Sequence, residues 1–182
     1  MGTSHYFIAL ELPSFVKERI QLQKEELCEL RSFKQWTHTE DYHLTLAFLG
    51  SLEVIDLQSY QQRLADVVTT SPSFTVRIDQ VNYFGHRDAP RIFWVGPERS
   101  KPLLHLYDLI QNIVTNVCGS VENRPFRPHI TLAKKWQGKE RFQLPNMIDP
   151  IEFTANTVSL FRIHPKNMPK YEVVAQYKLA TL

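Results

Sequence analysis

The sequence predicts an α+β fold with two pseudo-symmetric lobes, in which antiparallel or mixed sheets flank a central cleft and helices lie outside. The first observation is a repeated pentapeptide, because HLTLA at 43–47 returns as HITLA at 129–133. The second is composition, since apolar residues form 43% of the 182-residue chain, which is enough for a packed core. Both observations favour a globular domain built from two related halves.

The repeat extends beyond the pentapeptide. Its copies begin at residues 43 and 129, and the same offset of 86 residues carries Phe7 of the strand-like YFIA onto Phe93 of IFWV. The offset also carries a helix-like segment at 14–31 onto another at 100–117. Because strand, helix and His-containing strand recur in the same order, we interpret the chain as a duplicated strand–helix–strand unit.

The duplication predicts a single domain over residues 1–182. Its lobe-like repeats are expected at approximately 5–84 and 91–182, separated by the turn GHRDAP at 85–90. We expect the two His-containing strands to face each other near a pseudo-twofold axis.

Apolar periodicity defines the elements of the first repeat. Ser14 is a suitable cap for a helix, Gly50 ends a strand, and Phe74, Val76 and Ile78 alternate along another strand. The predicted strands or extended segments are 5–13, 33–38, 43–50 and 73–84, and the predicted helices are 14–31 and 53–68.

The second repeat follows with similar signals. Pro102 is compatible with the first turn of a helix, and the polar segment 136–150 is typical of a surface loop. The predicted strands are 91–97, 128–133, 157–165 and 170–180, and the predicted helix is 101–118.

Charge and cysteine content limit the classes of partner. The net charge is only +2, so a nucleic acid would be bound through a local basic patch and as a short piece. No apolar run approaches the ~20 residues of a membrane span, and the first residues do not resemble a secretion signal. Cys28 and Cys118 do not form a disulfide framework. We expect a reduced, cytoplasmic protein without a membrane partner.

The repeated strands place reactive side chains on one face. Side chains alternate along a strand, so His43 and Thr45 share a face, as do His129 and Thr131. The Leu and Ile residues of both motifs are expected to pack inward on the opposite face. A neutral imidazole can accept a proton from water while a protonated one donates to a leaving oxygen, and threonine hydroxyls can donate to phosphate oxygens. This set is suited to phosphoester chemistry without a metal. His38 and His43 have no third ligand nearby in the sequence, so we expect no metal site.

These motifs resemble a known family. HLTLAFLG and PHITLA resemble the paired HxTx motifs of the two-histidine (2H) phosphoesterases, and within them the RNA 2′,3′-cyclic phosphodiesterases, also called 2′-5′ RNA ligase-like proteins. FIALELP, RIFWVG and NRPFRPHITLA extend the resemblance over nearly the whole chain. The resemblance implies a hydrolase that opens 2′,3′-cyclic phosphate on RNA ends or nucleotides to a 2′-phosphomonoester, without a cofactor. It makes His43 the proton donor and His129 the proton acceptor.

Other residues are candidates for substrate binding. Arg124, Arg127 and Lys134 lie around the second motif and could contact an RNA backbone. The resemblance favours Lys134, whereas strict strand alternation places Lys135 on the cleft face, so Lys134 would need a twist or bulge. Phe7 and Tyr42 could stack on a base, as aromatic side chains do with unpaired nucleotides, and Phe7 fits the core equally well.

Two other functions remain open at this stage. The chain could be a non-catalytic RNA-binding module that retains the cleft, although the intact His and Thr residues in both copies disfavour this. It could instead be a phosphodiesterase for another small cyclic phosphate, because the modest net charge does not require a long RNA. We expect the protein to act as a monomer.

Overall fold

The computed structural model describes residues 4–26, 33–119, 125–145 and 149–181. None of the helices within these ranges is long and apolar enough to cross a membrane.

The described parts of the chain form nine strands and three helices. The strands are β1 (His5–Glu11), β2 (Phe33–Trp36), β3 (His43–Ser51), β4 (Phe74–His86), β5 (Ala89–Pro97), β6 (Ile130–Trp136), β7 (Ile151–Ala155), β8 (Thr157–Ile163) and β9 (Tyr171–Lys178). The helices are α1 (Ser14–Glu26), α2 (Val54–Val68) and α3 (Lys101–Cys118), and Thr39–Asp41 forms one short 3-10 turn.

The strands form two sheets. The first sheet has the order β3-β1-β8-β9, and the second has the order β2-β6-β5-β4-β7. Each pairing between neighbouring strands is antiparallel. The predicted α+β class with two sheets is therefore confirmed, and the sheets are antiparallel rather than mixed.

The two sheets do not follow the two halves of the sequence. Strand β4 belongs to the first predicted repeat but lies in the second sheet, and β8 and β9 of the second repeat lie in the first sheet. The two sheets therefore do not coincide with the predicted repeats 5–84 and 91–182. The reason is local, because β4 and β5 form a hairpin whose register runs through to His86 and Ala89. The predicted turn at 85–90 is accordingly shorter.

Both His-containing strands carry the same bulge. In β3, Leu46 is unpaired between Thr45 and Ala47, which face Ala9 and Ile8 of β1. A β-bulge re-aims side chains, and bulges are common next to active sites. The carbonyl of the bulged Leu46 accepts a hydrogen bond of 2.9 Å from the amide of Gln111 in α3.

In β6, Leu132 occupies the equivalent position between Thr131, which faces Trp94, and Ala133, which faces Phe93. Ala9 and Trp94 are thus structural equivalents, and they are 85 residues apart rather than 86. The predicted correspondence of Phe7 with Phe93 is therefore wrong by one residue, because the bulged strands and their partners differ slightly in register.

The core fills the space between sheets and helices. The inward side chains of the repeated strands, Leu44, Leu46, Ile130 and Leu132, are at most 2% exposed. Leu103, Leu106 and Ile110 of α3 join the same cluster. The prediction that the Leu and Ile residues of the two motifs pack inward is thus confirmed, and this leaves the His and Thr residues on the opposite face.

The remaining differences from the sequence-based elements are small. Strand β7 was missed because IEFTA is short and follows a long polar segment. Helix α1 is described to Glu26, and the rest of the predicted helix up to residue 31, with Cys28, lies outside the described residues. His38 caps the short 3-10 turn by accepting a hydrogen bond of 3.2 Å from the backbone N–H of Glu40.

Gly96 lies where β5 packs closely against the segment that carries His129. A Cβ atom at Gly96 would lie 2.7 Å from the carbonyl oxygen of Pro128 and 3.2 Å from the Cα atom of His129. We expect Gly96→Ala to lower the free energy of unfolding by about 1–3 kcal/mol, because backbone atoms would have to move. Thermal and denaturant unfolding measure this loss.

Gly50 offers the control, since its φ is +69° and a Cβ atom at this position would have no neighbour within 4 Å. Asn tolerates this left-handed conformation, so Gly50→Asn should be nearly neutral. Equal losses in the two variants would contradict the close-packing explanation.

Candidate active site

The two repeated motifs meet between the sheets. Strand β3, with His43 and Thr45, lies against β6, which begins directly after His129 and contains Thr131. All four side chains are half-buried. The structure therefore brings together the two segments that carry the four residues predicted as catalytic.

His43 is held by two hydrogen bonds. Its Nδ1–H donates to the carbonyl oxygen of Asp41 at 2.7 Å, which leaves Nε2 as the free basic nitrogen of the neutral ring. The Thr45 hydroxyl lies 3.0 Å from this Nε2 and can donate to it. When His43 is protonated, the direction of the second bond reverses and Nε2–H donates to the hydroxyl oxygen.

His129 repeats the first of these bonds. Its Nδ1–H donates to the carbonyl oxygen of Arg127 at 2.8 Å. In both copies the acceptor is thus the carbonyl two residues before the histidine. The same local geometry selects the same tautomer twice and leaves Nε2 of each ring available for proton transfer.

The two histidines are both poorer bases than free histidine. Burial, followed by the charges of His129, Lys134 and Lys17, lowers the pKa of His43 to about 4, although its hydrogen bond to Asp41 acts in the opposite direction. Burial and the charge of Lys134 also lower the pKa of His129, against the effect of its bond to Arg127. Both rings are therefore neutral at pH 7 when no anion is bound.

Aromatic rings surround His43. The centre of the Phe7 ring lies 4.7 Å from the centre of the imidazole ring. The Tyr171 ring is nearly perpendicular to the imidazole, with an interplanar angle of 89° and ring centres 5.0 Å apart. Phe7 also stacks on Phe161 at 5.0 Å and is only 3% exposed. The prediction that Phe7 stacks on a base is therefore wrong, because its ring is packed against the histidine that it supports.

His129 has its own aromatic neighbours. The Phe84 ring meets it edge-on at 4.9 Å, and Trp94 lies 6.1 Å away. Trp94 belongs to a segment that the sequence marks only as a strand, and nothing in the sequence singles out Phe84. Their proximity to His129 depends on the β4–β5 hairpin, which brings Phe84 beside the second motif.

The Tyr42 side chain is almost completely buried and is held by contacts with α1. It is 2% exposed, its hydroxyl donates to the amide oxygen of Gln21 at 3.2 Å, and the Lys24 ammonium lies 5.5 Å from its ring centre. The prediction that Tyr42 stacks on a base is therefore wrong. Tyr42 precedes His43, and strand alternation directs it toward the core.

The bulge that Lys134 would need in order to face the cleft is present in β6. After the extra residue Leu132, the alternation of β6 is shifted, and Lys135 adopts a positive φ of 63°. The charge of Lys134 lowers the pKa of both histidines. Desolvation and the nearby charge of Lys170 lower the pKa of Lys134 itself.

The other predicted basic residues have different outcomes. Arg127 is exposed and lines the cavity beside His129. Arg124 lies outside the described residues.

Two cavities open on the histidines. A cavity of about 400 Å³ is lined by both Thr45 and His129, together with the aromatic residues Phe48, Phe84 and Phe126. We call it the catalytic cavity. A smaller cavity of about 210 Å³ reaches His43 and is lined by Lys17 and Tyr171. The hydrogen-bonded pair thus faces both cavities, because Thr45 lines the catalytic cavity and His43 lines the smaller one.

Asp41 organises this site but was missed by sequence reasoning. Its carboxylate is 4% exposed and accepts hydrogen bonds from the backbone N–H groups of Lys170 at 2.9 and 3.1 Å and of Tyr171 at 3.3 Å. Its carbonyl oxygen accepts the Nδ1–H bond of His43. Asp41 thus joins the histidine to the segment before β9. Only its position two residues before His43 could have indicated this role.

No group of three or more His, Cys, Asp or Glu side chains that could hold a metal ion occurs among the residues that the structure describes.

Comparison with known proteins assigns the family. The family model of the 2′-5′ RNA ligase superfamily matches residues 17–167. The chain belongs to this superfamily. The resemblance inferred from the HxTx motifs is therefore confirmed.

Curated relatives agree with this assignment. An RNA 2′,3′-cyclic phosphodiesterase of Bacillus subtilis is 32% identical over 97% of this chain and 97% of its own length. Another, of Geobacillus stearothermophilus, is 35% identical over 98% of this chain, which spans 58% of that longer relative.

A solved structure shares the fold. The crystal structure of Escherichia coli LigT complexed with 3′-AMP superimposes with a TM-score of 0.82 at 20% identity, and the match covers 98% of this chain and 99% of that protein. This chain and that protein thus share the same arrangement of sheets and helices.

The lowered pKa of His43 predicts a loss of stability in acid. Between pH 6.5 and about 4 the unfolded chain binds a proton at this histidine that the folded protein does not bind. The free energy of unfolding therefore falls as the pH is lowered through this window. We expect His43→Gln to remove this contribution, which melting temperatures measured from pH 7 to pH 4 would reveal as a shallower decline.

The control is His105→Gln, because His105 is exposed on α3. It should melt with the wild-type dependence on pH. If the His43→Gln protein declined as steeply as this control, the assigned shift at His43 would be wrong.

Asp41 predicts a specific change in backbone protection. In Asp41→Ala, the amides of Lys170 and Tyr171 lose their buried acceptor, so their hydrogen exchange should accelerate by at least about tenfold. Asp41→Asn keeps one acceptor oxygen and should exchange at an intermediate rate. Asp66→Ala, on the exposed side of α2, is the control. Unchanged protection in Asp41→Ala would show that the segment is held by other contacts.

Proposed function

We propose that this protein hydrolyses 2′,3′-cyclic phosphate at RNA ends or on nucleotides to a 2′-phosphomonoester, using His43 and His129 and no metal. One observation carries the proposal. Two histidines on facing strands make the same Nδ1–H bond to a carbonyl two residues earlier, so that each offers Nε2 for proton transfer. A pair of this kind can accept and donate protons in a single displacement.

The enzyme class follows from the family. The relatives described above are RNA 2′,3′-cyclic phosphodiesterases, at identities of 32% and 35% over nearly the whole of this chain. The sequence-based prediction of a phosphodiesterase of the 2H type is confirmed at this level. The individual residue roles, independence from metals, a monomeric state and a cytoplasmic location stay predictions.

The proposed reaction is an attack of water on phosphorus. His129 Nε2 accepts a proton from the water as its oxygen bonds to phosphorus. The bond between phosphorus and the 3′ oxygen breaks, and Nε2–H of His43 donates its proton to that oxygen. The product carries a 2′-phosphate and a free 3′ hydroxyl, and the exchange of protons between the two rings is reversed through solvent before the next turnover.

The depressed pKa of His43 is compatible with its role as the donor. The free protein has a neutral His43 at pH 7, but a bound cyclic phosphate carries a negative charge that favours the imidazolium. Coulombic attraction is stronger where water is excluded, so the most desolvated histidine responds most strongly to the anion. Substrate binding would thus favour uptake of a proton from solvent at His43 Nε2.

Other groups support the developing charge. The hydroxyls of Thr45 and Thr131 can donate to the non-bridging phosphate oxygens, and the ammonium group of Lys134 adds a positive charge near both histidines. Arg127 is available for the RNA backbone from the wall of the catalytic cavity. Arg124 remains a candidate on sequence grounds alone.

The central prediction concerns the four motif residues. With 2′,3′-cyclic nucleotides and oligonucleotides in the presence of EDTA, we expect His43→Ala and His129→Ala each to lower kcat by about 10²–10⁴-fold, because each removes one proton-transfer group. Thr45→Val and Thr131→Val should cost about 10²–10³-fold through loss of an oxyanion donor. Product analysis should show only the 2′-phosphate.

The matched control is His105→Ala, which removes an exposed histidine outside the site. The proposal fails if the wild-type protein opens no cyclic phosphate, or if activity survives the loss of either motif histidine. Tight RNA binding without turnover would instead identify a binding module. Activity that disappears with EDTA and returns with a metal would refute the metal-free reaction.

A further inference from the structure

A second cavity continues from the catalytic cavity along the hairpin. It has a volume of about 530 Å³ and lies between β4, the end of β5 and the residues before β6. Phe84 and Arg127 line both this cavity and the catalytic cavity. The two cavities therefore adjoin at Phe84 and Arg127, and together we call them the groove.

The size of the groove exceeds the need of a mononucleotide. Ligand sites in proteins typically occupy ~300–1,000 Å³, and each of the two cavities, of about 400 and 530 Å³, lies within that range by itself. A terminal nucleoside that presents its cyclic phosphate to the histidines would occupy the catalytic cavity. The second cavity has room for the nucleotide attached to its 5′ side.

The lining of the second cavity has the groups that recognise an unpaired nucleotide. Phe84 and Trp94 form an aromatic wall with ring centres 5.2 Å apart, and the amide side chains of Gln80 and Asn82 lie on the same cavity. The indole N–H of Trp94 is buried and has no hydrogen-bond partner within the described part of the chain. A donor left in this state is suited to an acceptor supplied by a ligand.

The charges along the groove match a phosphodiester backbone. Arg91 lines the catalytic cavity, Arg99 lines the second cavity and Arg127 lines both. Within the described ranges, none of these arginines forms an ion pair, whereas Arg77, Arg141 and Arg162 all do. Among the described residues that line the groove, Glu98 is the one acidic residue. Unpaired guanidinium groups in a row favour a polyanion over a single phosphate.

We propose that the second cavity is a subsite for the penultimate nucleotide, so that the preferred substrate is an oligonucleotide with a terminal cyclic phosphate rather than a cyclic mononucleotide. In this subsite, Arg99 contacts the phosphodiester, and Asn82 with Gln80 contacts the base edge beside Phe84. The inference rests on the proposed function, since it assigns a substrate to the same active site.

The test compares two substrates that differ by one nucleotide. Values of kcat/KM are measured for a 2′,3′-cyclic mononucleotide and for a dinucleotide ending in the same cyclic phosphate. The wild-type protein should favour the dinucleotide by at least about tenfold, which corresponds to one or two hydrogen bonds to a charged group. Arg99→Ala should remove most of this preference by raising KM for the dinucleotide and should leave the mononucleotide rate unchanged.

Two additional measurements separate this subsite from general effects of charge. Arg63→Ala removes an exposed arginine on α2, away from the groove, and should keep the full preference for the dinucleotide. Asn82→Ala should reduce the preference without changing its dependence on salt, whereas Arg99→Ala should lower the slope of log KM against log salt by about 0.7 for one lost contact with a single strand.

The outcomes are distinguishable from failure of the proposed function. If neither substrate is opened, the proposed function itself fails. If both are opened at the same rate, or if Arg99→Ala affects both substrates equally, the cyclic phosphodiesterase stands and the subsite is refuted.

Discussion

The geometry of the site depends on one hydrogen bond that occurs twice. In each HxTx strand, the histidine Nδ1–H donates to the carbonyl oxygen two residues earlier, at 2.7 Å for His43 and 2.8 Å for His129. A backbone carbonyl can only accept, so it fixes the tautomer in a way that a hydroxyl or water would not. The bond leaves Nε2 of each ring available for proton transfer. Every proposed step of the reaction uses one of these two nitrogen atoms.

The surrounding structure serves to hold these two strands in equivalent positions. The bulges at Leu46 and Leu132 occur three residues after each histidine, and both leucines are buried. The exchange of strands links the halves, because β4 extends the sheet that contains β6 and β8 extends the sheet that contains β3. Each sheet is therefore completed by strands from both halves of the sequence. The cleft between the motifs is held in place by both halves together.

The equivalence of the two strands does not make the two histidines equal. Three aromatic rings surround His43, those of Phe7, Phe161 and Tyr171, and burial lowers its pKa to about 4. His129 instead contacts Phe84 and Trp94 and lines a cavity that also contains the exposed Arg127. Differences in burial thus supply the asymmetry that acid–base catalysis requires. The backbone is nearly symmetric, and the side chains around it are not.

The sequence predicted what depends on local pattern. The HxT periodicity located the four motif residues, and the inward Leu and Ile residues were identified from strand alternation. Contacts between distant segments were not accessible in this way. Tyr171 lies 128 residues after His43, and only the fold brings it to the imidazole. The sheet exchange was missed for the same reason, and Tyr42 and Phe7 were misassigned because an aromatic residue beside a motif can face the core or the cleft.

The most direct test of this account is the tautomeric state of the two histidines. Nitrogen-15 NMR of histidine-labelled protein at pH 7 should show both rings neutral, with the proton on Nδ1 and an unprotonated Nε2 in each. Addition of a 2′-phosphomononucleotide should then protonate His43 in preference to His129, because the anion acts most strongly at the more desolvated ring. A proton on Nε2 of either neutral ring, or no response of either histidine to the phosphate, would contradict the paired-histidine mechanism.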